Sequence, residues 1–543
     1  MVFARRSTTL LAAIIASCAM VLSLTACTSD NKTVVDGQTT VTSNSAGGVA
    51  VFTPSDGITL NQQTPLNKWA KLVPDLAKAL ADAGFKKGDI NHTTSDSLDK
   101  QSRAIQDFVV DHLSNNTTDD SGIAIAPDNM TLLVAPVVEA DASTRQYGDY
   151  VSQNLSTNDV TDEGATSDGE SSEDDSSKDD SSNTESDSTA SDEQAQAVDR
   201  LVSSLKLAKE SGMHVVLLGN SIEGYKPDAF VKFSDAQTIG KLQAEKMVSK
   251  LKLDKASKDN PKYIEVLLPY TAMDEKGNAN DSTFAQEAFR GIWQVLGSYY
   301  QKGVVESPSG TLDGKSTEND WQAVAYDAAK EGSTAKVLDK RLAKTDGQST
   351  LTRIDGIITM NDYIASEVVK ELDDLGYTGS AADINPQITI SGIVGNITGK
   401  KDLSRDAVPD PIKSPENDNA NDSSSSDDDA DEDTSASDKD RDSQWPLVTG
   451  YGAYVSNIPS IVNGKQWMTG MEDRQTIVTD IAQACAKLNK DEALNSMPSI
   501  RNSEVGGVKK IPTISEPLLA VSASNLKSAL IDPGYISLAD AGL

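Results

Sequence analysis

Short apolar runs and helical apolar stripes alternate along most of this chain. Apolar runs bounded by turn formers are typical of buried strands, and apolar residues at helical spacing predict amphipathic helices. The pattern predicts strands at Gly48–Thr53, Thr131–Val138, His214–Leu218, Tyr263–Leu268, Gly303–Ser307, Ile354–Thr359, Gln387–Val394, Pro446–Thr449 and Lys465–Gly470. It predicts helices at Leu66–Ala83, Ser97–Asp111, Glu193–Ser211, Ala236–Leu251, Phe284–Leu296, Trp321–Glu331, Ile364–Leu375, Ile458–Asn463 and Arg474–Leu488. Strands that alternate with helices in this way indicate an α/β fold with parallel sheets.

Two long acidic stretches interrupt this pattern. Residues 159–193 hold fourteen acidic residues and one lysine, and residues 416–442 hold twelve acidic and two basic residues. Such stretches cannot bury enough apolar surface to offset the entropy of ordering, so we expect disordered acidic insertions at 159–193 and 414–444. They are either solvated loops or binders of Ca²⁺ or cell-wall cations, although no EF-hand spacing supports the second hypothesis.

The net charge of −33 over 543 residues argues against one class of partner. Most of this charge lies in the two acidic stretches, and the rest of the chain is mildly acidic. No basic stripe is present that could meet a phosphate backbone, so we expect no nucleic-acid partner.

The first 27 residues have the pattern of a targeting segment. Arg5 and Arg6 precede an apolar stretch from Leu10 to Leu24, as in a secretory signal peptide. The following Leu24-Thr25-Ala26-Cys27 resembles the bacterial lipobox, which implies lipidation of Cys27 and a polar tether over 28–47. Two acyl chains give stable anchoring, so we expect a protein lipid-anchored to the extracytoplasmic face of the cell membrane. The alternative is an ordinary signal peptide with an incidental cysteine.

The sequence offers no arrangement of residues that would support catalysis. His92, His112 and His214 lie far apart, and none has a cysteine or histidine at metal-ligand spacing. Cys485 falls on a predicted helix and is expected to be a small buried apolar residue. The glycine-rich stretch 392–400 does not complete a phosphate-binding loop, because Lys401 follows where serine or threonine is needed. We therefore expect no catalytic residue, no metal and no cofactor, and not an enzyme.

Several segments, in order along the chain, carry a family resemblance. They include VAVFTPSDG, TLLVAPVVEAD, GMHVVLLGN, VKFSDAQTIGKLQAEKMVSKL and NGKQWMTGMEDRQTIVTDIAQA. In this order the chain resembles the type I periplasmic binding proteins of bacterial ABC sugar importers, in the xylose and multiple-sugar-binding branch. The resemblance implies two Rossmann-like lobes with parallel sheets, joined by a hinge. It also implies an N-terminal lobe at 48–227, a C-terminal lobe at 228–470 and a return to the first lobe over 471–543.

The resemblance and the ends of predicted strands give a set of candidate ligand-binding residues. In an open α/β sheet, ligands lie at the carboxyl ends of the strands. Asp362 falls on the family's strand-end aspartate and is expected to accept a ligand hydroxyl, although Asp362 or Asn361 would also serve as a helix N-cap. The full set is Asp56, Lys68, Trp69, Asn220, Asn361, Asp362, Tyr363 and Tyr451.

The expected function follows from the resemblance. It is capture of a small ligand, with a carbohydrate favoured, by closure of the lobes, and delivery to the permease subunits of an ABC transporter by a monomeric protein. The chain has Leu218-Gly219-Asn220 and Gly450-Tyr451-Gly452 where the family has charged residues. This difference keeps an alternative open, a surface lipoprotein on the same fold that acts as a sensor or cell-envelope interaction protein.

Overall fold

A computed structural model of the chain describes residues 46–55, 65–115, 129–138, 144–156, 185–273, 280–343, 351–382 and 443–543. The predicted signal peptide, the lipidated Cys27, Asp56 and the predicted strand Gln387–Val394 lie outside these residues. So do most of the predicted tether and most of both acidic stretches.

The described residues form seventeen strands and ten α-helices. The strands are β1 Gly48–Pro54, β2 Ile90–Ser95, β3 Met130–Val134, β4 Asn154–Leu155, β5 His214–Leu218, β6 Ser221–Ile222, β7 Ala229–Lys232, β8 Lys262–Val266, β9 Leu268–Pro269, β10 Val305–Glu306, β11 Ala325–Tyr326, β12 Gly356–Ile358, β13 Leu447–Tyr451, β14 Met468–Met471, β15 Ile500–Val505, β16 Val508–Ser515 and β17 Leu519–Ser522. The helices are α1 Trp69–Asp82, α2 Leu98–Asn115, α3 Glu185–Glu210, α4 Ala236–Leu251, α5 Thr283–Gln301, α6 Trp321–Val324, α7 Ser333–Arg341, α8 Asp362–Leu375, α9 Ile458–Val462 and α10 Arg474–Leu488.

Two large sheets divide these elements into two lobes. The first sheet has the order β15-β16-β7-β5-β3-β1-β2, and the second has the order β10-β8-β12-β13-β14-β17. Neighbouring strands are parallel except where β15 meets β16 and where β14 meets β17. In each sheet the second strand along the chain lies outside the first and the later strands lie on the other side, which is a doubly wound order.

Three segments carry the chain between the lobes. The first follows β7 and leads into α4, the second joins β14 to α10, and the third joins β16 to β17. The predicted α/β architecture of two lobes with parallel sheets and a hinge of crossing segments is therefore confirmed. Strand β7, which falls within the predicted second lobe, pairs with β5 in the first sheet, so the first crossing comes after Lys232.

Local sequence explains where the crossing helices begin. Asp235 caps α4 by accepting a hydrogen bond from the backbone of Thr238 at 2.7 Å, and the Thr238 hydroxyl binds back to residue 235. Asp473 caps α10 by accepting from the backbone of Thr476 at 3.3 Å, and its carboxylate also accepts from the Thr476 hydroxyl at 2.8 Å. These caps satisfy N–H groups that a helix start leaves without partners.

The predicted helix Trp321–Glu331 is wrong. Helix α6 ends at Val324, and the next two residues form β11 beside β9. The carbonyl of Val324 accepts from Arg341, and the carbonyl of Tyr326 accepts from the backbone of Tyr270. Because these carbonyls are bound by other elements, they are not available to the hydrogen bonds of a longer helix.

Other predicted bounds differ by a few residues. Helix α3 begins at Glu185, inside the first acidic stretch, rather than at Glu193. The sequence pattern also missed helix α7 and the strands after residue 488. Among the described residues, no helix is long and apolar enough to cross a membrane.

Candidate functional site

An aromatic pocket lies at the strand ends of the second lobe. Strands β9 and β11 form a short parallel pair, so the residues that follow them lie at the same edge. The pocket has a volume of about 520 Å³. It is lined by Tyr270, Ala272, Met273, Trp321, Gln322, Ala325, Tyr326, Asp327 and Lys330.

Three aromatic side chains line this pocket. Trp321 and Tyr326 are largely buried, and Tyr270 is half-buried. The rings of Tyr270 and Trp321 meet edge to face, with centroids 5.1 Å apart. The hydroxyl of Tyr326 lies 3.0 Å from that of Thr334, and burial raises the pKa of Tyr326, so the phenol stays neutral. Such packed rings offer flat apolar faces in fixed orientations.

Asp327 adds a carboxylate to the lining of the pocket. It accepts hydrogen bonds from the hydroxyl of Thr271 at 3.0 Å and from the backbone of Ala329 at 3.1 Å, and it pairs with Lys330 at 3.1 Å. Burial acts to raise the pKa of Asp327, but these donors outweigh it and hold the pKa below its ordinary value. The pocket therefore presents an ionised carboxylate and an exposed ammonium group beside its aromatic rings.

A buried ion pair lies next to the residues that line the pocket. Glu265 on β8 is fully buried, and its carboxylate lies 3.4 Å from the guanidinium of Arg341. Arg341 also donates to the carbonyls of Val266 at 2.5 Å and Val324 at 2.9 Å. Burial lowers the pKa of Arg341, although Glu265 acts in the opposite direction. The pair thus ties α7 to the backbone on both sides of the pocket.

The predicted ligand residue Asp362 lies inside the second lobe. Its carboxylate is fully buried and accepts from the backbone of Tyr454 at 2.9 Å, Gln466 at 2.7 Å and Thr469 at 2.9 Å. Burial raises its pKa to about 6 even though all three hydrogen bonds act to lower it. Asn361 is the N-cap of α8, because its side chain accepts from the backbone of Ile364 at 2.9 Å. The capping alternative is therefore correct for Asn361.

Tyr451, another predicted ligand residue, connects the lobes. Its hydroxyl lies 2.6 Å from that of Ser234, accepts from Asn67 at 3.1 Å and faces Glu472 at 3.4 Å. Glu472 also accepts from the backbone of Ser234 at 2.6 Å, so it joins the first and second crossing segments. Burial raises the pKa of Glu472 to about 7 and raises that of Tyr451 well above its ordinary value.

Three predicted residues of the first lobe are bound within that lobe. Lys68 pairs with Asp149 at 2.7 Å. Trp69 is 3% exposed and packs edge-on against Tyr150. Asn220 is buried and bridges the backbone of Gln153 and Pro136, both at 2.9 Å.

Tyr363 is half-buried at the start of α8, on the same side of the second lobe as the aromatic pocket. Burial and Glu367 raise its pKa, and the charge of Tyr363 would in turn raise the pKa of Tyr326. The structure therefore brings Tyr363 close to the pocket, whereas it places Asp362 and Tyr451 in the interior. Asp56 lies outside the described residues.

The sequence pattern did not identify the residues that line the pocket. Trp321, Tyr326 and Asp327 fell within a predicted helix, and Tyr270 fell in a loop. The available signal was the aromatic residue directly after each of two short apolar segments, Leu267-Leu268-Pro269 and Val324-Ala325.

Comparison with known proteins gives structural similarity alone. No family model and no curated protein matches this chain. An ABC transporter solute-binding protein from Clostridium phytofermentans, solved with β-D-glucose, is 16% identical with a TM-score of 0.44 and covers 91% of this chain and 99% of its own. A carbohydrate transporter solute-binding protein from Chloroflexus aurantiacus, solved with D-glucose, is 18% identical with a TM-score of 0.43. It covers 92% of this chain and 98% of its own. A periplasmic ribose ABC transporter protein from Conexibacter woesei is 13% identical with a TM-score of 0.42, and it covers 90% of this chain and 96% of its own. Scores of this size support no conclusion about function.

Proposed function

We propose that this chain is an extracytoplasmic solute-binding protein that captures a small carbohydrate and delivers it to an ABC transporter permease. The observation that carries this proposal is the pocket at the ends of β9 and β11. It combines the faces of Tyr270, Trp321 and Tyr326 with the ionised carboxylate of Asp327.

The chemistry of the pocket suits a sugar. A pyranose ring has an apolar face that packs on aromatic rings, and its hydroxyls both donate and accept hydrogen bonds. Asp327 already accepts from three donors and can accept from one further hydroxyl, and Lys330 and Gln322 offer donors. The volume of about 520 Å³ lies within the range of small-ligand sites and is large enough for a monosaccharide or a disaccharide.

Membrane attachment belongs to the same proposal. The lipobox-like Leu24-Thr25-Ala26-Cys27 supports a lipid anchor on Cys27, and the polar residues that follow support a tether. Attachment would keep a monomeric binding protein next to its permease on the extracytoplasmic face of the membrane. The proposed partners are thus the sugar, the permease subunits and the membrane.

One set of contacts favours a second candidate function. Four of the candidate ligand residues are bound to other residues of this chain, namely Lys68, Trp69, Asn361 and Tyr451. A sensor or cell-envelope interaction protein on the same fold would retain the two lobes without transporting a sugar.

A thermal-shift screen of the full-length protein tests the proposal. The ligands are mono- and oligosaccharides, with nucleosides and polyols as chemically distinct controls. Binding to the native state alone raises the free energy of unfolding by about 2.7 kcal/mol at a hundred times Kd, which is readily detected. A shift confined to sugars is expected. No shift with any sugar, or shifts with nucleosides alone, would reject carbohydrate capture and favour the second candidate.

A further inference from the structure

A segment of the first lobe crosses to the second lobe between the strand ends. Residues Thr144–Tyr150, named the strap here, lie between β3 and β4. The backbone of Ser152, just beyond the strap, donates to the carbonyl of Ser234 on the first crossing segment at 3.0 Å. Strand β3 lies in the first sheet, and β4 pairs with β6, which follows directly after β5 of that sheet, so the chain on both sides of the strap belongs to the first lobe.

Two residues of the strap bind the second lobe. The side-chain oxygen of Gln146 accepts from Asn361 at 3.0 Å, and its carbonyl accepts from the hydroxyl of Tyr454 at 2.7 Å. Tyr147 is 1% exposed and packs in the core of the second lobe. Its ring centroid lies 4.7 Å from that of Phe284 and 6.3 Å from that of Tyr451.

Two further residues of the strap hold it to the first lobe. The carboxylate of Asp149 pairs with Lys68 at 2.7 Å and accepts from the backbone of Trp69 at 3.1 Å. Tyr150 stacks on Phe233 with centroids 4.9 Å apart, and its hydroxyl donates to the carbonyl of Lys68 at 2.6 Å.

These contacts match the chemistry expected of a ligand between the lobes. The strap offers a carboxylate to Lys68, an amide to Asn361 and an aromatic ring to Tyr451. We infer that the strap is an internal ligand, which occupies the space between the lobes and competes with small molecules for it. The competition part of this inference rests on the proposed function and requires the sugar to reach beyond the aromatic pocket into the space between the lobes, whereas the closure of the lobes by the strap does not.

The energetic consequence follows from linked equilibria. A small molecule that needs the space between the lobes binds only the fraction of molecules in which the strap is released, so its apparent affinity falls by that fraction. Weakening the strap should therefore tighten binding. A segment that is only part of the core would have the opposite effect, because its loss would disorder the site.

The test compares full-length wild type with Gln146→Ala and with the double variant Gln146→Ala/Tyr147→Ala. Gln146→Ala keeps the Tyr147 ring, so one variant retains the packing even if the double variant folds poorly. Tyr299→Ala is the control, because it removes a tyrosine ring from the outer side of α5, where the hydroxyl binds Asp254. Backbone hydrogen exchange is measured at the strap, at β3 and at β12, and the Kd for D-glucose is measured on the same samples.

The expected result is selective release of the strap. Amides of residues 144–150 should exchange roughly tenfold faster in the Gln146→Ala variant, with β3 and β12 unchanged, and the control should match wild type. D-glucose that reaches the space between the lobes should bind several-fold more tightly to the variants than to wild type. Equal affinity, as expected of a sugar held only in the aromatic pocket, which the strap does not line, would overturn the competition. Unchanged strap exchange, exchange that rises equally in β3 and β12, or weaker D-glucose binding in the variants would each overturn the inference. If neither wild type nor any variant binds D-glucose, that result counts against the proposed function. The hydrogen-exchange data alone then test whether the strap holds the lobes closed.

Discussion

The carboxylate of Asp362 lies directly against the α-carbon of Gly450. A side-chain carbon added at residue 450 would stand 2.2 Å from Oδ1 of Asp362 and 2.7 Å from the amide nitrogen of Gln466. Glycine at position 450 of β13 is thus a condition for burying the carboxylate of Asp362 at the start of α8. This explains why a residue at a strand end, where a ligand contact was expected, is instead held in the interior by three internal donors.

Gly450→Ala should lower the free energy of unfolding by roughly 1–3 kcal/mol, because the added carbon overpacks a rigid hydrogen-bonded site. Urea unfolding measures this loss. Gly314→Ala is the matched control, since its added carbon would meet the nearest atom at 3.6 Å, an ordinary contact. In an Asp362→Ala background the cost of Gly450→Ala should shrink, and an unchanged cost would contradict the proposed contact.

The raised pKa of Asp362 predicts a loss of stability with rising pH. Below pH 3.8, the ordinary pKa of the carboxyl in the unfolded chain, Asp362 is protonated in both states, so its ionisation does not lower the free energy of unfolding. Between about pH 4 and pH 6 the unfolded chain releases the proton first, so the wild type loses stability relative to Asp362→Asn. A shift of about two pKa units corresponds to about 3 kcal/mol of unfolding free energy. It is measured as the change with pH in the difference between the unfolding free energies of wild type and Asp362→Asn.

Asp235→Asn provides a control of opposite sign for that experiment. Burial acts to raise the pKa of Asp235, but Lys232 and the backbone of Thr238 hold it below its ordinary value. Its contribution to stability is present above the unfolded pKa and is lost as the pH falls. If both variants change in the same direction relative to wild type, the assignment for Asp362 is wrong.

Arg341→Met should destabilise the second lobe by about 3–5 kcal/mol, because it leaves the fully buried carboxylate of Glu265 without its cation. The double variant Arg341→Met/Glu265→Gln should recover most of this loss. Chemical denaturation of the wild type, the single variants Arg341→Met and Glu265→Gln, and the double variant gives the interaction energy. A double variant as unstable as Arg341→Met alone would show that the carbonyl contacts of Arg341, and not the ion pair, dominate.

Much of the fold could be predicted from local sequence, for reasons visible at particular residues. The bounds of His214–Leu218, Ala236–Leu251 and Arg474–Leu488 match the prediction. Short apolar runs and side-chain caps such as Asp235 and Asp473 define these elements within a few residues of sequence. Local propensity and capping are sufficient to predict the bounds of such elements without information on distant contacts.

The pocket and the strap could not be predicted in this way. Trp321 lies on a helix that ends at Val324, because the carbonyl of Val324 accepts from Arg341 and that of Tyr326 accepts from the backbone of Tyr270. Both donors are distant in sequence. Gln146 meets Asn361 across 215 residues of sequence, so no local pattern marks the contact. Asn361, one of the two capping residues that the sequence allows, caps α8, but the burial of Asp362 depends on Gly450 in β13.

Calorimetric titration of the full-length protein with sugars that shift its melting temperature is the most direct test of carbohydrate capture by the aromatic pocket. Trp321→Ala is compared with wild type and with Trp293→Phe, an aromatic substitution on α5 that keeps a ring in the core. The pocket predicts a loss of binding of at least about tenfold in Trp321→Ala, because stacking on an aromatic wall of the pocket disappears, and wild-type affinity in Trp293→Phe. Equal affinity in wild type and a folded Trp321→Ala variant would contradict the assignment of the pocket as the sugar site.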